Sequence, residues 1–325
     1  MSKGKGEADV TTQVYPSTRH VWYGHEKNFC ANGANFTLQG HAISAEASAF
    51  YIREWRIMLD AGIACPYKAD AIFITHSHCD HAAQLPTILT GHNGKPDVYV
   101  PHGTAALYRD LLLAKHRLSK CDPLLPEQSV AHMCTFIECA VGDEFDLSVG
   151  KAQSRMRVKI LATDHRVKSI GFAFFLKRTR LLQCHRTKSG AELQALRKSG
   201  ANLTEQYFAP QLIYTGDTTT RWFEQNKRFL ATHRFPFVIT ECTFVDDLER
   251  DALRAVDSAT QYTHTCWSKL RPCIEALLRE QADAISHDDG GKRSHFILVH
   301  WSKRYAWADL ALTFQNVPSV SAWLW

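Results

Sequence analysis

The sequence predicts a soluble α/β protein of stacked sheet and helix layers. Strand-like apolar runs first succeed one another and then alternate with helical stretches, which suits layered sheets better than a simple doubly wound sheet. The longest apolar stretches, such as 171–176 (GFAFFL), are far too short to span a bilayer. Hydrophobic residues make up 45% and charged residues 22% of the 325, the composition of a folded globular chain. At about 150 residues per domain, this length gives two units or one large α/β domain, with core enough to need no disulfide staples.

Residues 1–20 are expected to be a flexible tail ahead of one domain over 21–325. Strand-like runs follow at 48–52 (SAFYI), 55–62 (WRIMLDAG) and 70–75 (DAIFIT). The segment 81–90 (HAAQLPTILT) reads as a short helix with an internal proline. Residues 97–101 form a strand, and 104–118 carry apolar residues at helical spacing. Strand character returns at 133–139, 156–163, 169–176, 212–217 and 236–244. A helical stretch over about 246–280, a turn-rich loop at 282–294 and a strand at 295–300 (HFILVH) complete the series. No internal repeat is evident.

The net charge of +5 is unevenly spread. Residues 166–200 hold nine Lys and Arg against a single acid, Glu192, so the remaining chain is net negative. A solvated basic face and a patch that steers a polyanion both fit this window, and composition does not separate them. The ten cysteines are dispersed without a CxxC pair, which reads as reduced thiols. The N-terminal residues are polar and lack the apolar core of a secretory signal. The expectation is a soluble, cytoplasmic protein, with nothing in the tail that decides against nucleus or organelle.

The strongest chemical signal is His76-Ser77-His78-Cys79-Asp80-His81, directly after the strand 71–75. A strand end projects side chains into a crevice, and three imidazoles with a carboxylate match the ligand preferences of zinc. Later strand ends add Asp164-His165, Asp217 in Tyr-Thr-Gly-Asp-Thr, and His300. A carboxylate shared between two cations would neutralise charge on both, as a binuclear site requires.

The HxHxDH motif resembles that of the metallo-β-lactamase superfamily, with Leu59-Asp60-Ala61-Gly62 in the place of its LxDxG turn, where the Asp orients a ligand. Later segments resemble ribonuclease Z, the endonuclease that matures tRNA 3′ ends. They are His300-Trp301-Ser302-Lys303-Arg304-Tyr305, Glu241-Cys242-Thr243-Phe244 with Val245-Asp246-Asp247, His264 in Tyr262-Thr263-His264-Thr265, and 165–171 (HRVKSIG). The stretch 40–52 resembles the substrate loop of the short plant-type form. The resemblance runs from about residue 38 to 307 and implies an αββα four-layer sandwich with a basic exosite-like insert at about 177–210.

By position, the resemblance implies His76, His78 and His165 on one zinc, Asp80, His81 and His300 on a second, and Asp217 bridging, with room for a hydroxide between them. Manganese or iron would suit the same donors. It further implies attack on phosphorus with Asp80 accepting the proton, and His264, held by Glu241, protonating the leaving oxygen. Cleavage of precursor tRNA would then leave a 3′-hydroxyl. Ser48, Ser302 and Arg304 are candidate phosphate-gripping residues, and Lys177, Arg178 and Arg180 candidate tRNA contacts. The resemblance also implies a homodimer in which one subunit's arm feeds the other's site. Unlike the usual Gly/Pro-rich arm, 177–200 has two glycines and no proline. Two rivals are a metal-dependent phosphodiesterase or thioesterase acting on a small substrate and a non-catalytic RNA-binding relative. The seven ligand positions, all filled, speak against the second rival.

Overall fold

The computed structural model describes residues 22, 26–32, 34–91, 94–246, 264–283 and 293–323. The expected tail at 1–20, most of the helical stretch expected before residue 264 and most of the loop at 282–294 lie outside the described residues.

Two seven-stranded mixed sheets face each other. In the first, β1 (Glu26–Ala31), β2 (Ala34–Ile43), β3 (Ala47–Ile52) and β4 (Ile57–Leu59) pair antiparallel in succession. Strands β5 (Ala71–Phe73), β6 (Asp97–Pro101) and β7 (Thr135–Cys139) then continue parallel to β4. The second sheet repeats the plan. Its β8 (Glu144–Val149), β9 (Ser154–Ala162), β10 (Ile170–Leu181) and β11 (Thr204–Tyr214) are antiparallel, and β12 (Phe237–Glu241), β13 (His295–Val299) and β14 (Val320–Ala322) are parallel to β11. A repeat therefore exists in topology, although none is evident in sequence.

Strand alternation sorts the side chains into layers. Phe50 and Ile52 point between the sheets, where they meet Phe73, Phe172, Phe174, Leu212 and Ile297, whereas Ala49 and Tyr51 point outward. Each such buried Phe or Leu contributes about 1.5–3 kcal/mol relative to exposure. Helices cover the outer faces. On the first sheet lie α1 (Cys79–Ala82), α2 (Leu85–Thr90) and α3 (Ala105–Lys120), through Leu85, Tyr108 and Leu112. Helix α4 (Gly190–Lys198) lies between β10 and β11 in the chain. On the second sheet lie α5 (Arg221–Thr232), α6 (Trp267–Asp283) and α7 (Trp307–Phe314), through Trp222, Ile274 and Leu310. The order helix, sheet, sheet, helix is the expected αββα sandwich.

One local expectation is corrected. The helix read over 81–90 is two helices, and Pro86 stands in the first turn of α2, where its missing N–H costs nothing. The basic segment takes the form of a long hairpin. Strand β10 runs on through Lys177, Arg178 and Arg180, β11 returns from Thr204, and α4 sits at the tip of this long hairpin. Glu192, the lone acid of 166–200, closes a capping box: its carboxylate accepts from Ser189 N at 2.7 Å while Ser189 caps the Glu192 amide.

A candidate metal centre at the strand ends

The parallel halves of both sheets end at one edge of the sandwich, and their C-terminal ends supply the titratable cluster. His76, His78, Asp80 and His81 follow β5, His165 follows β9, Asp217 follows β11, Glu241 ends β12 and His300 follows β13. The backbone turns sharply at three of these ends. Asp60 (φ +57°), Gly216 (φ +61°) and His300 (φ +66°) adopt left-handed conformations, unusual for the two non-glycine residues. An alanine at Gly216 would also place its Cβ 2.6 Å from the Thr75 side chain. His300 is held across the sandwich, because its N–H donates to Ala42 O and Trp301 bridges Ile43 of the opposite sheet.

Two groups of donor atoms converge, His76, His78, His165 with Asp217, and Asp80, His81, His300 with Asp217, and a third, Glu241 and His264 with Asp217 and His300, overlaps the second; within each, one atom per residue lies within 4.8 Å of the others. Asp217 belongs to all three. In the first group, His78 Nδ1 is 3.1 Å from both His76 Nε2 and His165 Nε2. In the second, His300 Nε2 lies 3.4 Å from His81 Nε2 and 3.2 Å from Asp80 Oδ2, and His81 Nε2 lies 3.2 Å from Asp217 Oδ1. Ligands at about 2.0–2.1 Å from a tetrahedral cation stand about 3.3–3.4 Å apart, so these separations are those of a coordination shell. Asp217 Oδ1 is buried and makes no hydrogen bond, which fits an oxygen turned toward a cation.

The opposite edges of the rings are tied down, which fixes the atoms that face inward. Asp60, fully buried, accepts from His81 Nδ1 (2.8 Å), Tyr214 Oη (2.6 Å), Thr75 N (2.7 Å) and Thr75 Oγ1 (2.9 Å). Thr75 Oγ1 is 3.0 Å from His76 Nδ1, and Thr243 Oγ1 is 3.2 Å from His300 Nδ1. The LxDxG turn drew notice to Asp60 in the sequence; Thr75, Tyr214 and Thr243 escaped it, their only signal being adjacency to a ligand or a strand end.

Electrostatics divides the two groups. Burial lowers His76, and burial together with His165 and Arg166 brings His78 to about 4, so both imidazoles are neutral and ready to donate lone pairs. Burial alone would lower His300 as well, but Asp217, Asp80 and Glu241 raise it to about 10. His81 is raised by Asp217 and Asp60 against its burial. Burial opposes ionisation of Asp80, yet the His300 hydrogen bond and the charge of His81 hold it at about 2. Beside this group, His264 Nδ1 lies 2.8 Å from Glu241 Oε2 and 3.8 Å from Asp217 Oδ2. Glu241 also accepts from Thr218 N (2.8 Å) and Thr243 Oγ1 (2.9 Å). Burial would lower His264, but Glu241 raises it.

A family model described as a beta-lactamase superfamily domain matches residues 63–183, which include the HxHxDH motif and His165. Over that stretch the chain is similar to the metallo-β-lactamase superfamily. The chain is 23% identical over 300 residues to tRNase Z TRZ1 of Arabidopsis thaliana, covering 90% of this chain and 95% of that one. It is 26% identical over 222 residues to the chloroplastic tRNase Z TRZ2 of the same plant, covering 66% of this chain and 58% of that one. The domain match together with the relatives marks a metal-dependent hydrolase, and the His and Asp groups suit a divalent cation. Among solved folds, unliganded yeast PDE1 superposes with a TM-score of 0.51 at 12% identity, covering 88% of this chain and 96% of that one. That likeness shows the fold alone.

The remaining candidates are spread more widely. Ser302 and Arg304 follow His300; Ser302 N donates to Thr243 O, and the Arg304 guanidinium stands 5.7 Å from the Phe244 ring. Ser48 lies fully buried in β3, and its hydroxyl has no hydrogen-bond partner. Lys177, Arg178 and Arg180 lie on the hairpin away from the cluster: at about 3.3 Å per residue, Arg180 is roughly 33 Å along β10 from its start at Ile170. Arg180 is engaged by Glu205 at 2.8 Å and stacks on Tyr207. Among the described residues, no helix is long and apolar enough to cross a membrane.

Proposed function

We propose that this hydrolase is a ribonuclease Z-type endoribonuclease that removes the 3′ trailer of precursor tRNA, using two zinc ions. The hydrogen-bonded Glu241–His264 pair beside Asp217 carries the reading, since hydrolysis of a phosphodiester needs a proton for its leaving oxygen next to the centre that provides the nucleophile. The likeness to plant tRNase Z over 90% of the chain supports it. His76, His78 and His165 would hold one zinc and Asp80, His81 and His300 the other, with Asp217 between; manganese or iron would fit the same donors. When bound, the cations lower the pKa of water toward about 7 and so provide a nucleophile at neutral pH.

The protein side chains handle the protons. Asp80 carries a carboxylate at neutral pH and accepts the proton released as water adds to phosphorus. Glu241 fixes the His264 ring through Nδ1 and favours its protonated form, so Nε2 can protonate the departing ribose O3′. One P–O bond forms and one breaks, leaving a tRNA 3′-hydroxyl and a 5′-phosphorylated trailer. Arg304, Ser302 and Ser48 grip the scissile phosphate, and Lys177, Arg178 and Arg180 meet the tRNA body. Residues 21–325 act as one domain whose arm spans 177–210, and the enzyme works as a homodimer in the cytoplasm, a reducing setting that suits its ten free cysteines.

Incubation of the zinc-loaded protein with a precursor tRNA, followed by mapping of the product ends, tests the reading. Cleavage after the discriminator base with a 3′-hydroxyl is expected. Intact RNA alongside hydrolysis of a simple phosphodiester would move the substrate to a small molecule.

A further inference from the structure

The turn that carries His165 also carries a cation that the proton transfers do not use. Residues 163–169 link β9 to β10 and are held at several points. Thr163 Oγ1 lies 2.7 Å from Ser169 Oγ, Asp164 N donates to Thr218 Oγ1 at 2.9 Å, and Thr219 N donates to Asp164 O at 3.1 Å. The other charges of the turn are engaged. Lys168 donates to His102 O at 3.4 Å, and Asp164 is paired with Arg221 at 3.5 Å. Arg166 is exposed, and among the described residues no carboxylate pairs with it. It rests instead on the metal centre, with its Nε 3.2 Å from His78 Nε2.

Lone-pair arithmetic makes that contact conditional. A neutral imidazole has one nitrogen lone pair and one N–H, and a guanidinium has donors only. While Arg166 Nε–H donates to Nε2, the proton of His78 sits on Nδ1. Yet Nδ1 is the atom that faces the first donor group, 3.1 Å from both His76 Nε2 and His165 Nε2. Once Nδ1 gives its lone pair to a cation, the ring proton must be on Nε2, where it meets the Arg166 N–H. Two donors then face each other and the contact opens. Loading the first group thus frees an unpaired guanidinium beside a centre that has just gained positive charge, and an anionic ligand offsets that repulsion.

The side on which Arg166 stands selects the anion. His264, the acid for the leaving O3′, is held by Glu241 at 2.8 Å, and Glu241 Oε2 is 3.5 Å from His300 Nδ1 of the second group. Arg304 follows His300 in the same segment. The tRNA body departs from that side, so the trailer runs past the first group, where Arg166 lies against His78. We propose that Arg166 is a specificity-determining residue: freed from His78 when the first donor group is loaded, it grips the phosphate that joins the first two trailer nucleotides. The inference rests on the precursor-tRNA reading above and deepens it with a contact on the trailer side of the scissile bond.

Fluorescence anisotropy of a short labelled trailer bearing a 5′-phosphate tests it, since this product keeps the phosphate in question but has no scissile bond. Binding is measured for the wild type and Arg166→Ala, each with zinc and after chelation, and a chromogenic chelator verifies equal zinc content. The exposed side chain makes the variant safe for the fold. Zinc is expected to tighten trailer binding about tenfold more in the wild type than in the variant. A neutral methylphosphonate between the first two nucleotides should weaken the wild type about tenfold and leave the variant unchanged. Equal losses in the two proteins overturn the phosphate contact, and an equal gain from zinc overturns the release from His78. A wild type that cleaves precursor tRNA but binds the trailer no better than Arg166→Ala leaves the proposed function standing and overturns this assignment alone. Trailer binding that depends on Arg166, with precursor tRNA left intact, upholds the contact and sinks the tRNA reading instead.

Discussion

Asp60 touches no cation position, yet four donors converge on its carboxylate and it sets the ring of His81. Replacing it with Asn keeps the shape but loses acceptor capacity and the preferred tautomer of His81. Asp60→Asn should therefore weaken metal binding about 10–100-fold, read by competition with a chromogenic chelator, while the circular dichroism spectrum stays unchanged. Glu241 acts on a different atom. Because it raises His264, Glu241→Gln should lower kcat by about 10²–10⁴ and move the alkaline limb of the kcat–pH profile to lower pH, since the acid then loses its proton earlier. An unshifted limb would remove His264 from the role of acid. At this scale the sequence was most legible: every titratable residue singled out for the centre is in it, because the chemistry demands side chains of few types at strand ends. Thr75, Tyr214 and Thr243 were not legible, because a hydroxyl that orients a ring has the same sequence signature as one that satisfies a strand.

Among the elements, strands with both faces buried announced themselves, as at 70–75 and 295–300, because apolar runs bounded by polar turns have few other solutions. β2 went unread since Thr37, Gln39 and His41 interrupt it, and these polar side chains are buried all the same. Helix α5 went unread because its buried face, Trp222, Phe223, Asn226 and Leu230, includes a polar Asn that donates to Ala162 O. The basic outer half of β10 went unread as strand because charge hides a strand that leaves the core. Its geometry carries a prediction. Neutralising Lys177, Arg178 and Arg180 together should raise KM for precursor tRNA about tenfold or more and flatten its salt dependence, with turnover of a small chromogenic phosphodiester unchanged. Equal losses on both substrates would show that the hairpin supports the fold rather than the RNA.

For the whole molecule, the repeated topology brings two sets of strand ends to one edge, and the centre is where they meet. Cation binding should accordingly tighten the entire sandwich. His81 and His300 are held protonated by neighbouring carboxylates, so loading the second group releases protons. The sign follows: apparent metal affinity rises with pH from 6 toward 9, as competition from protons fades. Calorimetric titrations in buffers of different ionisation enthalpy should register that release, and removal of metal by a chelator should lower the melting temperature more at pH 8 than at pH 6. A loss independent of pH would mean that those imidazoles are not displaced.

The hold of Ala42 and Ile43 on His300 and Trp301 has a consequence in time. His76 to His81 emerge from the ribosome early, but the residue that closes their shell arrives only when β13 has been made and has docked parallel to β12 against the far sheet. A chain still under synthesis thus carries a motif that can attract a cation but no completed pocket in which to use it. On the proposed ligand set, a hydrolase assembled in this order is expected to be idle until its fold is nearly whole.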